Sequence, residues 1–264
     1  MAENILLFTE DIGQAKKEIA AAGGQITQQF TDYVFVANLP DSVDPQSLSA
    51  SSTDRPDQLD PVSALSADAW GGLQEKSISE ALSESEGLSW DAPGSELPNP
   101  SHVEDSHDEG FSLAPSAGPQ LSTGTPTSLY LVGSVAVGVV IVSGTGTGLA
   151  FTSVEQQKVI QEVQEGLNFL ANAEPRANLT FEYDIRLITV SAAPGPTTSY
   201  EGAEAPWRNA ALQSMGYAPA RASSLQYAQD LRTGRGTNWS YVAYFTKYPL
   251  RHFAYAITEK TVMH

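Results

Sequence analysis

Cysteine is missing from all 264 residues. That absence excludes disulfides, thiolate zinc sites and a cysteine nucleophile, and it leaves the redox compartment open. Histidine is nearly missing too, with four in the chain. His102 and His107 lie five apart, so they share no helical face, and the neighbouring Glu104, Asp105, Asp108 and Glu109 read as a solvated run of charge. His252 and His264 have no histidine four residues away. The His-Glu-x-x-His pairing that sets two imidazoles on one helix face around zinc is therefore absent. The Gly-x-Ser-x-Gly elbow and the Gly-Lys-Ser/Thr of a P-loop are absent as well.

Positive charge is the next shortage. Lys and Arg total 14 against 31 Asp and Glu, a net charge of −17. The imbalance is confined to residues 1–127, which hold 21 acidic and 4 basic side chains, while residues 128–264 hold 10 of each. No basic stripe exists to neutralise phosphates, which argues against a nucleic-acid partner, and the same lack argues against an anionic membrane surface. The opening MAENILLFTEDIG has neither a basic n-region nor a long apolar h-region, so no secretory signal peptide is expected. Localisation is otherwise unknown, with the cytoplasm as the default.

One long uncharged run is present, Leu129 to Phe151. Its firmly apolar part is only Leu129–Val142, it is rich in valine and isoleucine, and Gly-Thr repeats follow at once. A membrane helix needs ~20 apolar residues, so a buried strand and a turn are expected here. The glycines 144, 146 and 148 lack the third glycine of the dinucleotide fingerprint at its spacing, and they too read as a strand-to-helix turn.

Along the chain, residues 4–40 give a β-α-β-β pattern. Asn4–Phe8 is an apolar strand, Asp11 caps a helix through Ala22, Gly23-Gly24 stops it, and Gln25–Phe30 and Tyr33–Asn38 form the next two strands. Pro45–Ala50 begins a second helix and Ser51–Leu59 supplies a fourth strand. From Gly71 to Thr127 the chain is rich in Ser, Pro and acids, with ten acidic residues and one lysine. It has too little apolar surface to offset the entropy of ordering, so a disordered, self-repelling tether is expected.

A second unit begins near Ser128. Val135–Val142 is its central strand. Thr152 or Ser153 caps a helix to about Asn172, whose buried stripe is Ile160, Val163, Leu167 and Leu170, with Glu155, Gln156, Lys158 and Gln161 on the wet side. Leu179–Val190 is a long strand with Phe181, Tyr183, Ile185 and Leu187 on one face and Glu182, Asp184 and Arg186 on the other. A short helix follows with Pro206 in its first turn, then another from Ser224 to Gly234. Trp239–Pro249 and Phe253–His264 read as the last two strands.

The stretch KKEIAAAGGQITQQF followed by YVFVANLP resembles the inhibitory propeptide domain of subtilisin-type proteases, a ferredoxin-like fold. VAVGVVIVSGTGTGLAF, EQQKVIQEVQEGLNFLANAEPRANLTFEYDI, EAPWRNAALQSMG and YVAYFTKYPLRHFAYA resemble the front of bacterial zincin-like metallopeptidases, as does LPDSVDPQSLSAS with DQLDPVSALSADAW. The resemblance implies an α+β chain in three parts: a small ferredoxin-like domain over 1–70, an acidic linker over 71–127, and over 128–264 the mixed-sheet upper subdomain of a zincin-like fold, ending before the zinc helix. No catalytic or metal residue carries over, because no position matches one. What carries over is a role for Phe253, Ala254, Tyr255 and Ala256 as an edge strand that pairs with extended peptide. No cofactor is expected in this chain, and zinc only with a complementing catalytic half. The implied function is a truncated or split metallopeptidase-like protein, inactive alone, whose partners are proteins or peptides. The alternative is a non-enzymatic binding module of two small α/β domains on an acidic tether.

Overall fold

The strands of both halves join in one sheet. The computed structural model describes residues 3–49, 51–82 and 131–250. Among these, six strands, β1 (Glu3–Phe8), β2 (Gln25–Gln29), β3 (Val34–Leu39), β4 (Ser134–Gly144), β5 (Thr180–Val190) and β6 (Trp239–Thr246), form a mixed sheet in the order β1-β3-β2-β5-β4-β6. Five α-helices accompany them: α1 (Ile12–Ala21), α2 (Pro61–Leu82), α3 (Ser153–Ala173), α4 (Tyr200–Ser214) and α5 (Ala222–Arg235). The class is α+β.

β3 is antiparallel to both β1 and β2, whereas β2 with β5, β5 with β4, and β4 with β6 are all parallel. Five strands thus point one way and only β3 is reversed. β4 occupies the centre of its half because Val135–Val142 is apolar on both faces and paired along both edges. Its residues 135–144 are all buried, which is where the valine-rich part of the uncharged run ends up, while Leu131, Val132 and residues 145–148 stay exposed.

The sheet is covered on both sides. Val34, Val36, Val137, Val139, Phe181 and Tyr183 face α2 and α3 in one continuous core with Phe30 and Trp70. On the other side, Leu7, Phe35 and Ala37 meet α1, while Ala136, Val140 and Val142 meet α4 and α5. β5 divides as its alternation requires, with Phe181, Tyr183 and Ile185 in the α2–α3 core and Glu182 paired to Lys16 of α1 at 3.5 Å.

The seam between the halves is narrow along the backbone and broad in side chains. Only Gln28 and Gln29 of β2 pair with Phe181 and Glu182 of β5. Around them Phe30 packs on Trp70 and Tyr183 at ring separations of 5.9 and 5.2 Å, and the Tyr183 hydroxyl donates to Gln28 Oε1 at 2.8 Å. Arg235 donates to the Tyr183 carbonyl at 3.2 Å and lies 3.8 Å from Asp32. On the helix side, Gln164 of α3, fully buried, donates to the Ser66 carbonyl of α2 at 3.2 Å, and Lys76 pairs with Glu165 at 2.8 Å.

Several local expectations change. The boundary expected at Gly71 falls inside α2, because Leu73 continues the buried face set by Ala69 and Trp70. The rest of the expected tether, 83–127, lies outside the described residues. The expected helix at Pro45–Ala50 is a single 3-10 turn, Pro45–Ser47, capped by Asp44. The expected strand at Ser51–Leu59 reduces to one bridge, Ser52 with Phe8, since Pro56 and the Asp60 cap of α2 leave no room for a ladder. α4 starts at the Ser199 cap, so Pro206 lies within the helix rather than in its first turn. On α3, Leu170 is 43 % exposed while Gln164 takes a core position.

Candidate functional site

The chain crosses from β4 to β5 through α3 on one face, and from β5 to β6 through α4 and α5 on the other. The connections that leave the neighbouring strands β4 and β5 therefore diverge to opposite faces, and in open α/β sheets ligands lie outside the carboxyl ends of strands at such a point. Here that place is formed by the 144–152 turn, the segment after Val190, and Lys247 with Tyr248.

These residues hold one another. The Gly144 N–H donates to the Leu149 carbonyl at 2.9 Å and the Thr145 N–H to the Val190 carbonyl at 3.0 Å. Tyr248, 3 % exposed, donates its hydroxyl to the Ala192 carbonyl at 2.7 Å. A Cβ on Gly144 would fall 2.7 Å from both that hydroxyl oxygen and Leu149 Cβ. Glycine at 144 is therefore demanded by close packing of Tyr248, a reason internal to the fold.

The start of α3 is closed in the same way. Thr152 and Glu155 form a reciprocal capping box, and Glu155 also pairs with Lys247, whose ammonium lies 5.3 Å from the centre of the Phe151 ring. The Lys247 hydrogen bond, aided by Thr152, holds the Glu155 carboxyl down at about 2. The start of α3 is thus taken up by its own capping box and ion pair, and the 144–152 turn is held by contacts internal to the fold. Sequence reasoning left Glu155 on the wet side; the Thr-x-x-Glu spacing was the available signal for the box, while nothing in the sequence announced Lys247.

On the α5 face, Asp184 accepts from the Tyr227 hydroxyl at 2.7 Å and from Arg186 Nε at 2.9 Å. Gly138 stands opposite Asp184 in register, and a Cβ there would come within 3.1 Å of the Tyr227 hydroxyl. The missing side chain lets Tyr227 reach across β4. Burial, reinforced by the Asp184 charge, pushes the Tyr227 phenol far above its ordinary value, so it acts as a fixed donor.

The proposed peptide-pairing residues Phe253, Ala254, Tyr255 and Ala256 lie outside the described residues, as do all four histidines. The described chain leads to them through residues 247–250 from β6, which among the described residues pairs with β4 alone. Among the described residues no three of His, Asp and Glu gather as a metal site. No helix among them is long and apolar enough to cross a membrane.

Two cavities stand out among the described residues. One of about 180 Å³ opens at the amino ends of the strands, under the seam, and is lined by amides including Asn4, Gln25, Gln28 and Asn178. The other, of about 810 Å³, lies beyond Phe8 at the carboxyl end of β1.

The chain matches no known protein family, curated protein or solved structure.

Proposed function

We propose that this chain is a zincin-like peptidase scaffold that binds extended peptide and carries no reaction centre of its own. One observation supports this reading above the others: β4, α3, β5, the α4–α5 pair and β6 follow in the order that the resemblance implies, with β4 flanked by two parallel neighbours. In this reading the β-α-β-β unit at the amino terminus has the ferredoxin-like, propeptide-like role, and Phe253–Ala256 pairs with a peptide main chain. Peptide-bond hydrolysis of the zincin type needs a metal-bound water and a polarised carbonyl. The His-Glu-x-x-His helix that holds such a metal is found nowhere in these 264 residues, so another polypeptide segment would contribute it.

The test uses the purified chain with an unstructured protein such as casein and with zinc at equimolar amount. The expected outcome is no stoichiometric zinc by metal analysis and no chelator-sensitive cleavage, together with slowed amide exchange at 253–256 when casein-derived peptide is present. Stoichiometric zinc with chelator-sensitive proteolysis, or unchanged exchange at 253–256, would refute it.

The second reading, a non-enzymatic protein-binding module, is favoured by the 810 Å³ cavity, which lies far from β6 on the amino-terminal half.

A further inference from the structure

The smaller cavity lies on the α3 side of the sheet, between the last turns of α3 and a row of amides that crosses three strands. Asn4 of β1 pairs with Asn38 of β3, and Asn38 with Gln25 of β2, so these side chains share one face. It is the face that carries Leu6, Val34 and Val36 into the α2–α3 core. Opposite the row, Asn168, Ala171 and Asn172 recur at i, i+3 and i+4 along one side of α3. A bulge in β2 completes the cavity. Ile26 pairs with Ala37 and Gln28 with Val36, so two steps along β2 match one along β3. The extra residue leaves Ile26 on the α1 side and turns Gln28 to the Tyr183 side. No charged side chain lines the cavity; its polar side chains are seven amides and the Thr27 hydroxyl. Among the described residues, only Gln28 of those seven makes a side-chain hydrogen bond.

Gln28 lines the cavity while only 2 % exposed. Its Oε1 accepts from the Tyr183 hydroxyl at 2.8 Å, and burial pushes the Tyr183 phenol far above its ordinary value, so that proton stays in place. The Gln28 Nε2 group is left without a partner and, unlike the sealed Asn4 Oδ1, remains open to the cavity. A buried donor facing a cavity calls for an acceptor inside it.

We propose that this cavity binds one neutral hexopyranose ring. Each sugar hydroxyl both donates and accepts, and each carboxamide offers both functions in return. A phosphate, carboxylate or ammonium would lose its hydration here without meeting an opposite charge. A planar base would need an open aromatic face, and Phe181, the one aromatic ring in the lining, is 1 % exposed. Leu179, Ala171 and Pro175 give a small apolar surface for the C–H face of a sugar. The volume of about 180 Å³ lies well above the share of one water, ~30 Å³, and below the ~300 Å³ at which drug-sized sites begin. A serine or threonine from elsewhere in the chain brings a single hydroxyl, whereas a pyranose brings several on one rigid ring and orders no backbone. The inference stands apart from the peptidase reading, since β6 and residues 253–256 play no part in it.

The test is NMR titration of the full chain with the methyl pyranosides of glucose, mannose and galactose. At least one should bind saturably in the millimolar range, and shift the side-chain amide signals of Gln28, Asn168 and Asn172. Asn168→Ala/Asn172→Ala removes two neutral hydrogen bonds to the sugar and should weaken binding about ten-fold. Neither side chain bonds within the described chain and alanine favours helix, so this variant keeps the fold. Gln213→Ala/Gln226→Ala, which removes two exposed amides from α4 and α5, should leave binding unchanged. Absence of saturable binding by all three pyranosides, or equal loss in the α4–α5 variant, would overturn the site. Glycerol or N-acetylglutamine amide binding as tightly as the best pyranoside would overturn the sugar ring as its ligand.

Discussion

Phe30 is the side chain on which the two halves meet, and its truncation measures how strongly they depend on each other. It is 1 % exposed and its ring touches Trp70 of α2 and Tyr183 of β5. Phe30→Ala removes a buried ring between two aromatic partners, and such truncations cost about 3–5 kcal/mol. That is a large part of the ~5–15 kcal/mol holding a typical domain together. Because the core containing Phe30 runs without interruption from Val34 and Val36 to Val137 and Val139, the loss should fall on both halves. Guanidinium unfolding followed by circular dichroism should give a lower midpoint with an unchanged slope. Native-state hydrogen exchange should lower the protection of β3 and β4 amides by the same free energy. Phe169→Ala, at a ring 70 % exposed, is the control and should change stability by less than ~0.5 kcal/mol. Loss of protection in β3 with β4 unaffected would refute the shared core and restore two independent domains.

Two further outcomes follow from the same contacts. The Glu155 carboxyl, held down at about 2 by Lys247 and Thr152, has a folded-state pKa below its ordinary 4.5. Its contribution to stability is therefore complete above about 4.5 and is lost as pH falls through about 2. Carboxyl NMR titration should place the midpoint near the lower value, and Lys247→Met should move it up; an unmoved midpoint would remove the ion pair from the account. A protease site inserted near residue 100, once cut, should leave the pieces co-eluting on gel filtration, since the seam is made of side chains from 3–82 and 131–250. Separation of the cut pieces would show that the seam is too weak to act between chains.

What the sequence determined was local. The Asp11 cap and Gly23-Gly24 stop bounded α1, the valine-rich run at 135–142 made β4, and the alternation at 181–187 divided β5 between two faces. Caps, turns and periodicity act over a few residues, so they can be read from a few residues. α2 was not foreseen at all, since Gly71 was read as the start of a tether, and the start of α4 was misjudged because Pro206 was placed in a first turn that the Ser199 cap puts earlier.

Only the tertiary structure decided that the halves form one sheet. That choice rests on two residue pairs between β2 and β5 and on an aromatic contact between positions far apart in the chain. The same holds for the buried glutamines 28 and 164, for Tyr227 reaching Asp184 over Gly138, and for the amide-lined cavity built from four separate segments. Such features depend on which distant surfaces pack together, and no local pattern encodes that.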